Sequence, residues 1–315
     1  MEGANGVTPL YHHLDPLWSR VPAPARAVLE KETIAGLTAL RMERVWFGRE
    51  LLSVYCYAVG DTLVDTGLPC VKRRLVDFAK GAGIRRALVT HHHEDHAGNA
   101  GALAREGLEV LTSDTGTQIL SKDLPIRFYQ HVLWGKAEAA PATALPERIA
   151  LGPWEAHVIP AAGHAVDQVA FFVPSQGMLF TGDAFVAEKI KVFRKDEDFA
   201  ETVATLERFL TLDFDVLLCA HRPKEKDGQA AIRAKRDWMR EIEGRVNDLR
   251  AKGAGVPEIV ARLPIRTTNA FYKLTFGDVS TANMVRSILG ERFVRPELLG
   301  IPKGSQESPS LPCGL

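Results

Sequence analysis

The stretch that most constrains this chain is Thr90 to Gly98, T-H-H-H-E-D-H-A-G, where His91, His93, Asp95 and His96 crowd four potential metal ligands into six positions. The apolar run Arg86-Ala87-Leu88-Val89 leads straight into it, so the polar groups sit at the end of a strand. Successive side chains alternate along extended backbone. An extended path through the motif puts His91, His93 and Asp95 on one face and turns His92 and Glu94 away. His96 leaves that alternation where the chain enters a helix opened by Ala97, Gly98 and Asn99, and can face the same spot. The segment thus predicts two adjacent ions, His91 and His93 on the first, Asp95 and His96 on the second, and it needs further ligands from elsewhere.

Three later strands supply them. Trp154 to Pro160 alternates as a strand and runs through Ala161-Ala162-Gly163 into His164. Met178 to Thr181 closes on Gly182 and Asp183, and Asp215 to Ala220 ends in His221. If these strands lie in stacked sheets with their ends on one edge, the ligands converge. The allocation is His91, His93 and His164 on the first ion, Asp95, His96 and His221 on the second, and Asp183 as the bridge. Of the ten histidines, His12, His13, His131 and His157 lie outside this pattern. Imidazole and carboxylate without thiolate fit two zinc ions best, and iron or manganese tolerates the same set. Paired ions roughly 3.5–4 Å apart lower the pKa of a bound water to about 7. The resulting metal-bound hydroxide is the expected nucleophile, with Asp95 both ligating and steering its proton.

As a set, H-x-H-x-D-H at 91–96, Gly163-His164, Thr181-Gly182-Asp183 and Ala220-His221 resembles the metallo-β-lactamase superfamily over roughly residues 36–225. The resemblance implies an α+β fold, a four-layer αββα sandwich with the dinuclear site along one edge of the two sheets, and hydrolysis of a carbonyl ester, lactone or thioester. Many members carry Gly-His-Thr-Pro-Gly where this chain has Gly163-His164-Ala165-Val166-Asp167-Gln168. That variant is more similar to the thioesterase of the bacterial quinolone-signal pathway and to glyoxalase II-like members. Persulfide dioxygenases share H-x-H-x-D-H, so a mononuclear iron dioxygenase is an alternative. So are an RNA-cleaving nuclease of the same fold and a catalytically occluded, partner-binding protein. Flavodiiron oxidases carry Glu where His93 stands, which argues against that branch.

The rest of the chain narrows the partners. Across 315 residues, 39 basic side chains balance 39 acidic ones, which provides no global attraction to nucleic acid or anionic membrane. The expected partner is a small-molecule substrate. Cys56, Cys70, Cys219 and Cys313 form no C-x-x-C pair, and neither a secretory start nor a bilayer-spanning run is legible. The expectation is a cytoplasmic protein.

Residues 1–35 read as an N-terminal arm, 36–225 as the hydrolase domain, 226–300 as a C-terminal helical region and 301–315 as a flexible tail. Leu37 to Gly67 reads as a β-meander in which Asp65 either caps a turn or orients a ligating histidine from behind. Val71 to Gly81 has helical spacing. Residues 121–146, with three prolines and the aromatic group Phe128, Tyr129 and Trp134, read as a loop or lid beside the pocket. Lys189 to Lys195 reads as a solvated basic loop, with an anionic substrate as the functional alternative. Asp227 can cap a long helix reaching Lys252. The C-terminal helices are expected to cap the core, with walling the pocket or forming a homodimer as alternatives.

Overall fold

Alternation along the strands decides the architecture, because the central strands, such as Val169–Val173 and Met178–Gly182, are buried along their whole length and both of their faces must be covered. The computed structural model describes residues 25–46, 49–123, 128–265, 267–268, 272–273 and 275–291. Sheet one comprises β1 (Ala25–Ile34), β2 (Leu37–Trp46), β3 (Arg49–Val59), β4 (Thr62–Val64), β5 (Arg86–Leu88), β6 (Glu109–Thr112) and β7 (Thr143–Ala144), in that spatial order. Sheet two runs β12 (Val216–Cys219), β11 (Met178–Gly182), β10 (Val169–Val173), β9 (Trp154–Pro160) and β8 (Arg148–Leu151). The described helices are α1 (Lys72–Gly81), α2 (Ala100–Arg105), α3 (Asp114–Leu120), α4 (Phe128–Trp134), α5 (Phe199–Phe209), α6 (Gly228–Ala251), α7 (Val256–Arg262) and α8 (Thr281–Ile288).

Three cores separate four layers. Ala39, Tyr57, Val59, Val64 and Leu88 of sheet one meet Phe171, Val173, Phe180 and Leu218 of sheet two in the middle. The neighbours of those residues, Leu40, Met42, Cys56, Leu63 and Ala87, face outward onto Leu75 and Ala79 of α1 and Leu103 of α2. On the far side Ala170, Leu179, Leu217 and Cys219 pack under Val203, Leu206, Ile232, Met239 and Ile242 of α5 and α6, with Ile259 and Met284 of the following helices. The molecule is an αββα sandwich, and its C-terminal helices cover the outer face of sheet two. Among the described residues no helix is long and apolar enough to cross a membrane.

The topology explains why strand ends meet. β4, β5 and β6 are parallel neighbours. β11 and β12 are parallel, and β9 runs with them because both β9 and β11 are antiparallel to β10. Each sheet therefore delivers several C-terminal strand ends to one edge, the place where such sheets open a crevice. Bonds between the sheets hold that edge together: Val169 N–H donates to Thr90 O (2.9 Å), Tyr55 N–H to Ala220 O (2.7 Å) and the Tyr57 hydroxyl to Cys219 O (2.7 Å).

Several expectations are corrected. Residues 25–34 are not an arm but strand β1, paired along its whole length with β2. Its turn is Ala35-Gly36, both with positive φ (50° and 78°), and the alanine hides a hairpin that Asn-Gly would have announced. Residues 121–146 contain helix α4 and the short strand β7, with the Tyr129 hydroxyl donating to Asp278 (2.8 Å). Asp227 precedes α6 but does not cap it with its side chain. Its φ is 59° and its amide donates to Asp215 Oδ1 (2.7 Å). The next residue must be Gly228, since a Cβ there would lie 2.5 Å from Asp215 O. Residues 1–24 and 292–315, covering most of the arm, the end of the helical region and the tail, lie outside the described residues.

Phe180 is fully buried between the sheets and meets Tyr57 edge-on at 5.5 Å. Phe180→Ala is expected to lower unfolding free energy by about 3–5 kcal/mol in urea titrations; a loss below about 1 kcal/mol would contradict this packing.

Candidate metal centre

Past β5 the chain does not stay extended. Amides 96 and 97 both donate to His93 O (2.9 and 2.8 Å), so 93–97 is a tight turn that leads into α2. The turn still separates the side chains as the alternation argument expects, but by a different route. His92 leaves the cluster and its Nδ1 meets Asp167 Oδ1 at 2.7 Å. Asp167 is one of the residues standing where many relatives of the resembled family have Thr-Pro-Gly. Glu94 also points away and accepts from Gln130 Nε2 on α4 (2.6 Å).

The remaining residues form two groups. His91, His93 and His164 each offer one nitrogen, all within 4.8 Å of one another. His93 Nδ1 lies 3.0 Å from His91 Nε2 and 3.0 Å from His164 Nε2. Asp95, His96, Asp183 and His221 form the second group under the same limit. Asp183 reaches both: Oδ1 lies 3.2 Å from His96 Nε2, and Oδ2 lies 3.3 Å from His221 Nε2 and 3.5 Å from His164 Nε2. The structure thus brings all seven sequence-selected residues together.

The partners behind the rings fix which nitrogen faces inward. Ser53 O can only accept, so His221 Nδ1, 2.8 Å away, carries the proton and Nε2 turns to the cluster. Asp65 Oδ2 holds His96 Nδ1 at 2.9 Å, which likewise frees Nε2. Asp65 therefore orients a histidine; the turn-capping alternative is only part of its work, as its Oδ1 also accepts Thr90 N–H (2.8 Å). The Thr90 hydroxyl lies 3.0 Å from both Asp65 oxygens and 3.1 Å from His91 Nδ1, so it donates to the carboxylate and accepts from the ring. Gly182 is obligatory in front of Thr90: its φ is 48° and a Cβ would come within 2.6 Å of Thr90 Oγ1. Asp65 itself sits at φ 63°, local strain of the sort that collects at functional sites.

The strap 193–198 supplies partners that sequence reasoning missed. Glu197 Oε1 lies 3.4 Å from His164 Nδ1, and Asp196 Oδ2 lies 3.7 Å from His93 Nε2. Arg194 Nε donates to Asp196 Oδ1 (3.1 Å), so this part of the basic segment is an internal ion pair, not a solvated cation. Lys235 on α6 was also missed. Its buried ammonium donates to Ala184 O (2.7 Å), and burial lowers its pKa to about 8. Only tertiary packing identifies these residues.

Electrostatics distinguish the groups. Burial, then the neighbouring rings of His96 and His93, keeps His91 well below the usual histidine range; burial, then Arg194, does the same to His93. Those rings are neutral donors. Burial also opposes charge on His96 and His221, but carboxylates overcome it: Asp183, Asp65 and Asp95 raise His96 well above normal, and Asp183 and Asp95 raise His221 to about 9. Burial would raise the Asp183 carboxyl, yet the imidazoles of His221 and His96 hold it well below the usual range. The second group thus calls for cations. His96 Nε2 and Asp183 Oδ1, close as they are, make no aligned hydrogen bond and remain buried orphans. Inward-facing nitrogens and the orphaned Asp183 Oδ1 fit borderline divalent ions. His91 and His96 form a fully buried floor, whereas the side chains of Asp95, His164 and His221 are each 14% exposed, so the recess opens on their side.

Comparison with known proteins agrees with this geometry. Residues 49–221 match the Metallo-beta-lactamase superfamily, more than half of the chain. A hydroxyacylglutathione hydrolase of Rhodobacter capsulatus is 26% identical over 204 residues, 60% of this chain and 69% of that protein. The one from Cereibacter sphaeroides ATCC 17029 is 28% identical over 117 residues, so the match spans about a third of each chain (34% and 36%). Among solved structures, a beta-lactamase domain protein from Burkholderia ambifaria superposes with a TM-score of 0.58 at 20% identity, over 87% of this chain and 92% of that one, a likeness of fold. With the motif residues gathered at one edge of an αββα sandwich and the match running from β3 to His221, this chain belongs to the metallo-β-lactamase superfamily.

Proposed function

We propose that the protein is a dinuclear metal hydrolase acting on a carbonyl ester, lactone or thioester, with two zinc ions as the resident metals. The observation that carries this reading is the pair of donor groups sharing Asp183. His91, His93 and His164 would hold one ion, Asp95, His96 and His221 the other, and Asp183 would span both. A single-ion dioxygenase would need only one group, and here both are formed. The thioester comes first among substrates because the relatives are named for hydrolysing an acylated glutathione.

Ions held there would supply Lewis acidity and a water acidic enough to ionise near neutral pH. The chain does the rest. Thr90, Asp65 and Ser53 keep His91, His96 and His221 in the tautomer whose lone pair faces the recess. Asp95, at the open side with Oδ2 3.7 Å from His221 Nε2, takes the proton of the attacking water on a carboxylate oxygen and returns it to the leaving group. The pair Gln130 to Glu94 and the pair Tyr129 to Asp278 fasten α4 beside the motif, keeping bulk water from the His93 side.

Two outcomes are expected. With a panel of p-nitrophenyl esters, lactones and acyl thioesters, Asp95→Asn should lower kcat on accepted substrates by about 10²–10⁴-fold; equal rates in both proteins would sink the reading. Metal affinity should also rise with pH. In the metal-free protein His221 holds its proton up to about pH 9, so an ion must displace it below that pH. Affinity measured by chelator competition should increase about tenfold per pH unit per displaced proton between pH 7 and 9; a flat profile would show that His221 is not a ligand.

A further inference from the structure

Each histidine of the centre must present one nitrogen to the recess and satisfy the other behind it. Thr90, Asp65 and Ser53 do this for His91, His96 and His221, which leaves His93 and His164. His93 Nδ1 is the atom that faces its neighbours, 3.0 Å from both His91 Nε2 and His164 Nε2, so the proton of that ring belongs on Nε2. His93 Nε2 is buried without an aligned acceptor. The carboxylate beside it is Asp196, with Oδ2 at 3.7 Å. His164 Nε2 points to Asp183, so its proton belongs on Nδ1, which lies 3.4 Å from Glu197 Oε1. Two adjacent residues at one turn of the strap thus stand behind the two rings that the sheets leave unsupported.

Arg194 holds both carboxylates. Its Nε donates to Asp196 Oδ1 (3.1 Å), which leaves Oδ2 for His93, and its amide donates to Glu197 Oε1 (3.3 Å). The strap is pinned on either side of this turn. Before it, Arg194 bridges to Val279, and Phe193 O accepts from Ser280 N–H (3.0 Å) and from Asn283 Nδ2 (3.3 Å). After it, Asp198 N–H donates to Gly163 O (2.7 Å), next to His164, and Phe199 N–H donates to Ser287 Oγ (2.9 Å). Gly163 permits that close approach, since a Cβ there would lie 2.5 Å from Thr202 N. Carboxylates carried on a segment fixed in this way can hold a ring in one orientation.

We propose that Asp196 and Glu197 are positioning residues for the His91, His93 and His164 group alone. They accept the outer N–H of His93 and of His164, which fixes both rings and makes their inner nitrogens better donors. The proposal rests on the dinuclear reading above and adds an asymmetry to it. Affinity for one ion is set from the C-terminal side of the fold, through the strap that α8 braces; affinity for the other is set through Ser53 on β3 and Asp65 after β4.

Titration of the metal-free full chain with Zn²⁺ against a chromophoric chelator tests this by resolving the two equivalents. Asp196→Ala and Glu197→Ala are each expected to weaken one equivalent by about 10–100-fold and to leave the other within about twofold. Asp196→Asn and Glu197→Gln keep an acceptor oxygen and are expected to fall between the alanine variants and the wild type. Circular dichroism and urea titration of the metal-free variants verify that each is folded; a purely structural contribution would lower stability and weaken both equivalents together. The proposal is overturned if either alanine variant binds both equivalents as the wild type does, or weakens both alike. Uptake of a single equivalent by the wild type would instead contradict the two-ion reading, and the strap's role then stands or falls on whether Asp196→Ala weakens that equivalent.

Discussion

Buried charge is costly unless it is balanced, and the edge where β4, β5, β11 and β12 end gathers Asp65, Asp95 and Asp183 around imidazoles in a recess that meets water on one side. Without ions, protons partly balance that charge: His96 and His221 are pushed toward the charged form while His91 and His93 stay neutral. Everything around the cluster can be understood as keeping these groups from relaxing apart. The sheets are bonded to each other at this edge, Thr90 is held by Asp65, and Gly182 gives up a side chain so that β11 can approach Thr90.

The sandwich suits this task because its strands are rigid and several of them end together. Tyr57 shows how core and site are continuous: its ring packs against Phe180 in the middle layer while its hydroxyl holds Cys219 O, two residues before His221. Lys235 plays a similar part from outside, reaching from α6 to the carbonyl that follows Asp183. Loss of packing far from the recess would therefore be felt as a misplaced donor atom.

The donor residues were legible in the sequence because His91, His164, Asp183 and His221 each come within four residues of a strand end, and Asp95 and His96 share the motif that His91 opens. His92 could be set aside for the right reason in outcome, though a turn and Asp167, not an extended strand, carry it away. What was not legible depends on contacts distant in sequence. Asp196, Glu197 and Lys235 look like ordinary charges until the fold brings them beside His93, His164 and Ala184. β1 was missed because Ala35 stands where the turn would usually carry Asn or Asp before its glycine, and the capping role expected of Asp227 fails because close approach of Gly228 to Asp215 sets the helix start instead.

The central claim is that two donor groups sharing Asp183 hold two ions. Elemental analysis of the purified protein, after removal of loosely held metal, tests it most directly. The account predicts close to two equivalents of zinc, iron or manganese per chain, falling by about one in His221→Ala. One equivalent in the native protein, or no more than a trace, would contradict it.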